Sequence, residues 1–343
     1  MSAHTASIRS VGSTLQFSPV ESLFAVFEWV LTNVYGAGMN LLADLLGIQM
    51  LGYPYMQRAY LAAVCIGVIG PLVGTFLVHR ELSMLSDTLA HTAFAGVAVG
   101  LFLNATFSLS LSPLATAFVV AVGTALLVEL LVDYAGAYSD TSLAIVLTGG
   151  FAVGSVLITA TDGGIAVGIN AYLFGSLATV SRLNAALLVA LSAVVTVGIA
   201  LAYRPLVYIT FDEIGARASG IGVKRYNQLL AVLTAVVVVG AMQIMGVILV
   251  AAMLVVPVAA ATPVRGFKRS IAAAVGIAQA ATIAGVSLSY AYDVAAGGTI
   301  VLVAIGLYAA SELGVRLRRR AVTRASAADE SEQAAPAADG GRE

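Results

Sequence analysis

Charge is what this sequence has least of. Asp, Glu, Lys and Arg make up only 10% of its 343 residues, against 60% hydrophobic, and the mean hydropathy is +0.97. A soluble domain cannot be covered by so few charges, because about a quarter of an ordinary soluble chain is charged. Cysteine occurs once, as Cys65 inside an apolar run, which excludes an intrachain disulfide. With no metal-ligand spacing around it, this thiol reads as a small core side chain. No phosphate-binding loop of the form GxxxxGK[ST] is present, so the chain is expected to bind no cofactor and to hydrolyse no ATP. Residues 1–19 are polar and rich in Ser and Thr, without the apolar centre of a signal peptide. The net charge of -1 says little about partners, and none of nucleic acid is expected.

What fills the chain instead is a series of apolar stretches of roughly 20 residues, the length that crosses a bilayer core of about 30 Å as a helix. The fold class expected is all-α, a polytopic membrane protein of about eight to nine transmembrane helices with one broken or re-entrant segment. The 34 glycines are spread through these stretches, as suits helices that approach closely or break within lipid.

In order, the expected spans run from Tyr60 to Val78, Asp87 to Leu103, Pro113 to Val132, Leu143 to Ala160, Asn184 to Tyr203, Ile271 to Tyr290 and Thr299 to Leu317. Pro71 removes a backbone donor from the first and should bend it. Residues 20–51 alternate apolar runs with Glu21, Glu28 and Asp44, which suits one or two helices on or dipping into the membrane; a single span from Leu23 to Leu46 is the alternative. Between Asp162 and Arg182 the chain suits a short helix at the surface or folded back into the protein. From Gln228 to Thr262 the apolar run is long for one crossing and short for two, and two short helices broken near Gln243 to Gly246 are expected. Three domains follow: 1–56, an N-terminal extension; 57–317, the membrane domain; and 318–343, a disordered cytoplasmic tail.

Basic clusters at Arg204 to Arg225, Arg265 to Arg269 and Arg316 to Arg324 mark the cytoplasmic side, which requires an even number of crossings between the first two. By this count the C-terminus is cytoplasmic, His79 and Arg80 lie on the same side, and the chain before Tyr60 starts outside.

One stretch, His79 to Gly100, concentrates the chemistry. Asp87 and His91 are four apart, which stacks a carboxylate and an imidazole on one helix face, where both can hold one small cation. Gly96 and Gly100 fall on the opposite side as a face for close helix packing. Ionisable residues inside a span point to a transport path. The ordinary alternative is that Asp87 caps its helix and His91 bonds a backbone carbonyl. His4 reads as solvated and His79 as a positioning residue in a cytoplasmic turn. Glu129 reads as a solvated helix end.

Five phrases in register, HRELSMLSDTLAHTAFAGVAVG, SDTSLAIVLTGGFAVG, AYLFG, FDEIGARASGIGV with MGVILVAAMLVVPVAAA, and AYDVAAGGTIV, cover about Gln57 to Leu317. Together they resemble the membrane permease subunit of the metal-type ABC importers, the zinc and manganese uptake family called ABC-3. The resemblance implies a permease for Zn²⁺ or Mn²⁺ that pairs with a second copy of itself in the cell membrane, with Asp87 and His91 lining the metal path and the pair meeting its mate at the two-fold axis. It implies that Asp212, Glu213, Ala216 and Gly220 belong to a coupling helix, that an ABC ATPase subunit binds the ATP, and that an external metal-binding protein delivers the ion. The chain departs from the family near AYLFG, where it has Gly168 and Ser176 in place of acids that would attract cations. The rival readings are an ABC permease for a metal chelate, such as a siderophore or cobalamin, and a secondary metal transporter without an ATPase.

Overall fold

The computed structural model describes residues 27–135, 139–161, 172–176 and 180–334. Among these residues every long element is a helix and no strand occurs. The chain divides into two units, Met1–Pro54 and Tyr55–Glu343.

In the first unit a π-helical turn, Val30–Gly36, runs into α1, Ala37–Leu46, which ends at Gly47 in the left-handed conformation. A 3-10 turn, Gln49–Gly52, follows. Leu41, Leu42, Leu45 and Leu46 are exposed, as expected of a helix that meets lipid rather than water. The polar segment 1–19, with His4, lies outside the described residues.

The second unit is a helical bundle. Its elements are α2 (Pro54–His79), α3 (Ser83–Phe107), α4 (Pro113–Ala135), α5 (Ser139–Thr159), α6 (Arg182–Phe211), α7 (Glu213–Ala218), α8 (Val223–Met245), α9 (Val247–Ala261), α10 (Phe267–Tyr292) and α11 (Ala296–Ala334). Eight of the described helices are long and apolar enough to cross a membrane, and α9 is a shorter apolar helix beside them. Helices α2, α3 and α8 form the centre, and α5 and α11 are the least buried.

Glycine decides how closely this centre closes. A Cβ at Gly74 of α2 would collide with the backbone of Leu254 in α9, and one at Gly67 would meet Gln279 and Thr282 in α10. Gly96 and Gly100 set α3 against Ala117, Thr116 and Pro113 of α4, while Gly150 and Gly154 of α5 lie on Thr92, Phe94 and Ala95 from the other side. Helix α2 runs antiparallel to α10, with Tyr60 bonded to Ser287 at 2.7 Å near one end and Phe76 edge-on to Phe267 near the other. Cys65 is buried in α2 as a free thiol.

The long apolar run breaks at Gly246, whose φ of 78° is open to glycine and costly for other residues. The two helices are unequal, however: α8 has 23 residues and α9 only 15. At 1.5 Å per residue α9 extends about 22 Å, short of a bilayer core. The break is held from outside by the turn at 172–176, where Gly175 lies on the backbone of Ile244 and Met245 and Gly246 on that of Leu173 and Phe174. Of the segment expected between Asp162 and Arg182, residues 172–176 thus pack into the protein; residues 162–171 and 177–179 lie outside the described residues.

Several boundaries differ from the sequence reading, most by extension of the helix, as α2 starting at Pro54 rather than Tyr60. Helix α3 starts at Ser83 rather than Asp87, because the polar residues before Asp87 continue a helix as readily as they end one. Arg204–Pro205 does not stop α6, which continues to Phe211; proline is tolerated inside membrane helices more readily than in soluble ones. The tail expected to be disordered is helical to Ala334, as its Ala, Arg and Glu content favours. Residues 335–343 lie outside the described residues.

Candidate functional site

Asp87 lies in the second turn of α3, so it does not cap the helix; the N-cap is Leu82, which makes no side-chain cap bond. His91 follows one turn later, its Nε2 3.6 Å from Oδ1 of Asp87. Its Nδ1 is buried with no hydrogen-bond partner. The ordinary explanation of this pair, a cap and a carbonyl bond, is therefore not the arrangement found. The His91 ring stands edge-on to Phe151 of α5, with centroids 5.5 Å apart, and Phe151 stacks on Phe94. These aromatic contacts hold the imidazole on one side, while the Asp87 side chain is 43% exposed on the other. One carboxylate and one imidazole stand side by side, and a third ligand is not at hand: among the described residues no group of three His, Cys, Asp or Glu side chains is placed to hold a metal.

The α2–α3 turn that leads to this pair is stiff. Leu82 N–H donates to Leu77 O at 2.8 Å and Glu81 N–H to Val78 O at 3.2 Å, the double bond of a Schellman motif with Glu81 at φ 59°. His79, the last residue of α2, shares a 2.8 Å hydrogen bond with Thr75 O through Nδ1, and its ring lies between Phe211 and Phe267. That is a positioning role.

Asp212 caps α7, its Oδ1 accepting from Gly215 N–H at 2.7 Å. A Cβ at Gly215 would collide with that carboxylate, so the cap requires glycine there. Glu213 accepts from Arg217 at 2.6 Å. Ala216 points into the protein, fully buried with Ile209 and Val223; it anchors α7 rather than presenting a surface. Gly220 turns the chain at φ 79° with nothing near its missing side chain. The residue that the sequence reading missed is Ile214, 83% exposed on α7. Its place follows from the burial of Ala216, which the sequence alone does not disclose: two residues away on a helix, Ile214 falls on the opposite face.

Beside α7 a cavity of about 350 Å³ is lined by Arg80, Glu129, Glu213, Arg217 and Asn227, among others. Burial pulls the Arg80 guanidinium below its ordinary value, and the charges of Glu213 and Glu129 push it back up. Glu129, expected at a solvated helix end, is half-buried and belongs to this cavity. At the far end of α10 a second cavity, about 610 Å³, is lined by Tyr55, Ser176, Ser289 and Asp293. Asp293 supplies a carboxylate in the cavity where Ser176 does not; Gly168 lies outside the described residues.

The family described as the ABC 3 transport family matches residues 52–314. The manganese transport system membrane protein MntC of Halalkalibacterium halodurans is 36% identical over 270 residues, covering 76% of this chain and 87% of that protein. The manganese import system permease protein ScaB of Streptococcus gordonii is 29% identical over 255 residues, covering 73% and 87%. The solved structure of PsaBC from Streptococcus pneumoniae in complex with Fab aligns with a TM-score of 0.69 at 28% identity, covering 79% of this chain and 95% of that one.

Proposed function

This chain belongs to the ABC 3 transport family, and from that premise we propose that it carries Mn²⁺ or Zn²⁺ inward along a path lined by Asp87 and His91. It is a multi-pass membrane permease, not an enzyme, and ATP is hydrolysed by a separate ATPase. The names of the relatives, manganese transport and manganese import proteins, favour Mn²⁺ as the ion. The donor set agrees with that class: oxygen and imidazole nitrogen suit Mn²⁺ and Zn²⁺, whereas Mg²⁺ and Ca²⁺ prefer all-oxygen cages.

The observation that carries the proposal is the incomplete ligand pair. A transition-metal ion takes four or more ligands, and Asp87 with His91 supplies two. A second copy across a two-fold axis supplies the other two. The same reading makes α7 the coupling helix, with Ile214 and Arg217 as its outward residues and Asp212, Glu213, Ala216 and Gly220 building and anchoring it. An external metal-binding protein presents the ion, and the C-terminus is cytoplasmic.

The test is ATP-dependent uptake of labelled Mn²⁺ and Zn²⁺ by vesicles containing the permease, its ATPase and its binding protein. Uptake is expected to fall in Asp87→Asn and in His91→Ala by more than the roughly 10- to 100-fold that loss of an outer-shell partner costs a metal site, while assembly is retained. Transport that survives both substitutions removes the pair from the path.

A further inference from the structure

Arg80 stands between α2, α7 and α8. It is the C-cap of α2 and lies three residues before α3 begins. Its Nη2 donates to Asn227 Oδ1 of α8 at 2.6 Å and stands 4.0 Å from Oε2 of Glu213 on α7. The other oxygen of Glu213, Oε1, is held at 2.6 Å by Arg217, which is largely exposed. The Arg80 side chain is 7% exposed, and its Nη1 is buried without a hydrogen-bond partner beside the cavity that Glu129 and Glu213 line.

We propose that Arg80 is the positioning residue that delivers movement of α7 to the head of α3, through a Glu213 carboxylate shared between Arg217 on the exposed face and Arg80 inside. The inference rests on reading α7 as the helix on which the ATPase acts. A buried guanidinium with an unused donor is costly, and the cost is recovered when a carboxylate closes on it. When α7 is pressed inward, Glu213 shortens its 4.0 Å separation from Arg80, and the cavity between them gives the room. The receiving end is rigid. The two hydrogen bonds of the Schellman turn fix Arg80 to α2, and Leu85 N–H bonded to Leu82 O at 3.0 Å starts α3 directly after it. A displacement of Arg80 therefore moves the first turns of α3, where Asp87 sits, instead of being absorbed in a loop. Burial without this connection would require only that Arg80 be paired with Asn227.

The experiment uses the complete transporter in proteoliposomes and reads three quantities: assembly, ATP hydrolysis and Mn²⁺ moved per ATP. Arg80→Gln and Glu213→Gln are each expected to assemble and hydrolyse ATP, while moving about tenfold less metal per ATP, and the double variant is expected to lose no more than either single one. Arg80→Lys, which keeps the charge, is expected to recover part of the loss. An unchanged ratio of metal to ATP in Arg80→Gln or in Glu213→Gln overturns the proposal, and so does a double variant whose losses multiply to about a hundredfold. Failure of the unaltered transporter to couple uptake to ATP is a different result, which removes the reading of α7 itself.

Discussion

That Asp87 and His91 stand together on one face of α3 was legible in the sequence because their relation is local. A spacing of four fixes their shared face before any tertiary structure is known. Arg80 could not be found in that way: its partner Asn227 is 147 residues distant along the chain, and no periodicity reports that contact. Glycine lies between these cases. Gly96 and Gly100 were legible as a packing face, but which glycines touch backbone emerges only from the folded bundle. Gly74, pressed on Leu254, and Gly123, with nothing within 4 Å, look alike in the sequence. Gly74→Ala is expected to destabilise the protein by about 1 to 3 kcal/mol through overpacking. Gly123→Ala should stabilise it by up to about 1 kcal/mol, because alanine is the better helix former. Thermal unfolding of the two variants in detergent separates them; equal shifts would contradict the packing described for α2 and α9.

Helix α7 shows what an element's sequence does and does not disclose. Its start was legible from Asp212 followed by Glu213, a cap and a first-turn acid. The inward turn of Ala216 was not, because alanine suits a core and a surface equally. With Ala216 inside, Ile214 is the exposed apolar residue, and Ile214→Asp is expected to weaken ATPase binding at least about tenfold, as for other apolar interface anchors. Co-purification of the ATPase with this variant measures the loss, and wild-type recovery would exclude Ile214 from the contact. The turn into α3 carries a second expectation. Glu81 holds φ 59°, a conformation that costs a non-glycine residue about 1 kcal/mol, so Glu81→Gly should raise stability by a similar amount. A lower melting temperature for Glu81→Gly would show that its side chain contributes more than its backbone costs.

At the scale of the whole molecule, hydropathy disclosed the number of long helices and the break near Gly246, but not the unequal lengths of α8 and α9, the second of which falls short of a bilayer core. The ends of the helices were less legible, since proline at Pro205 and polar residues before Asp87 stop a helix only when nothing around them satisfies the backbone. The mate of the Asp87–His91 pair is not within the described residues of one chain at all. The proposed second copy would complete the ligand set, and the low burial of α5 beside His91 leaves a face for it. The count of bound metal tests it directly. Mn²⁺ titrated into the purified complex, followed by electron paramagnetic resonance, should show one protected ion for every two permease chains, lost in both Asp87→Asn and His91→Ala. One ion per chain, or one that persists in both variants, would contradict a site shared across the two-fold axis.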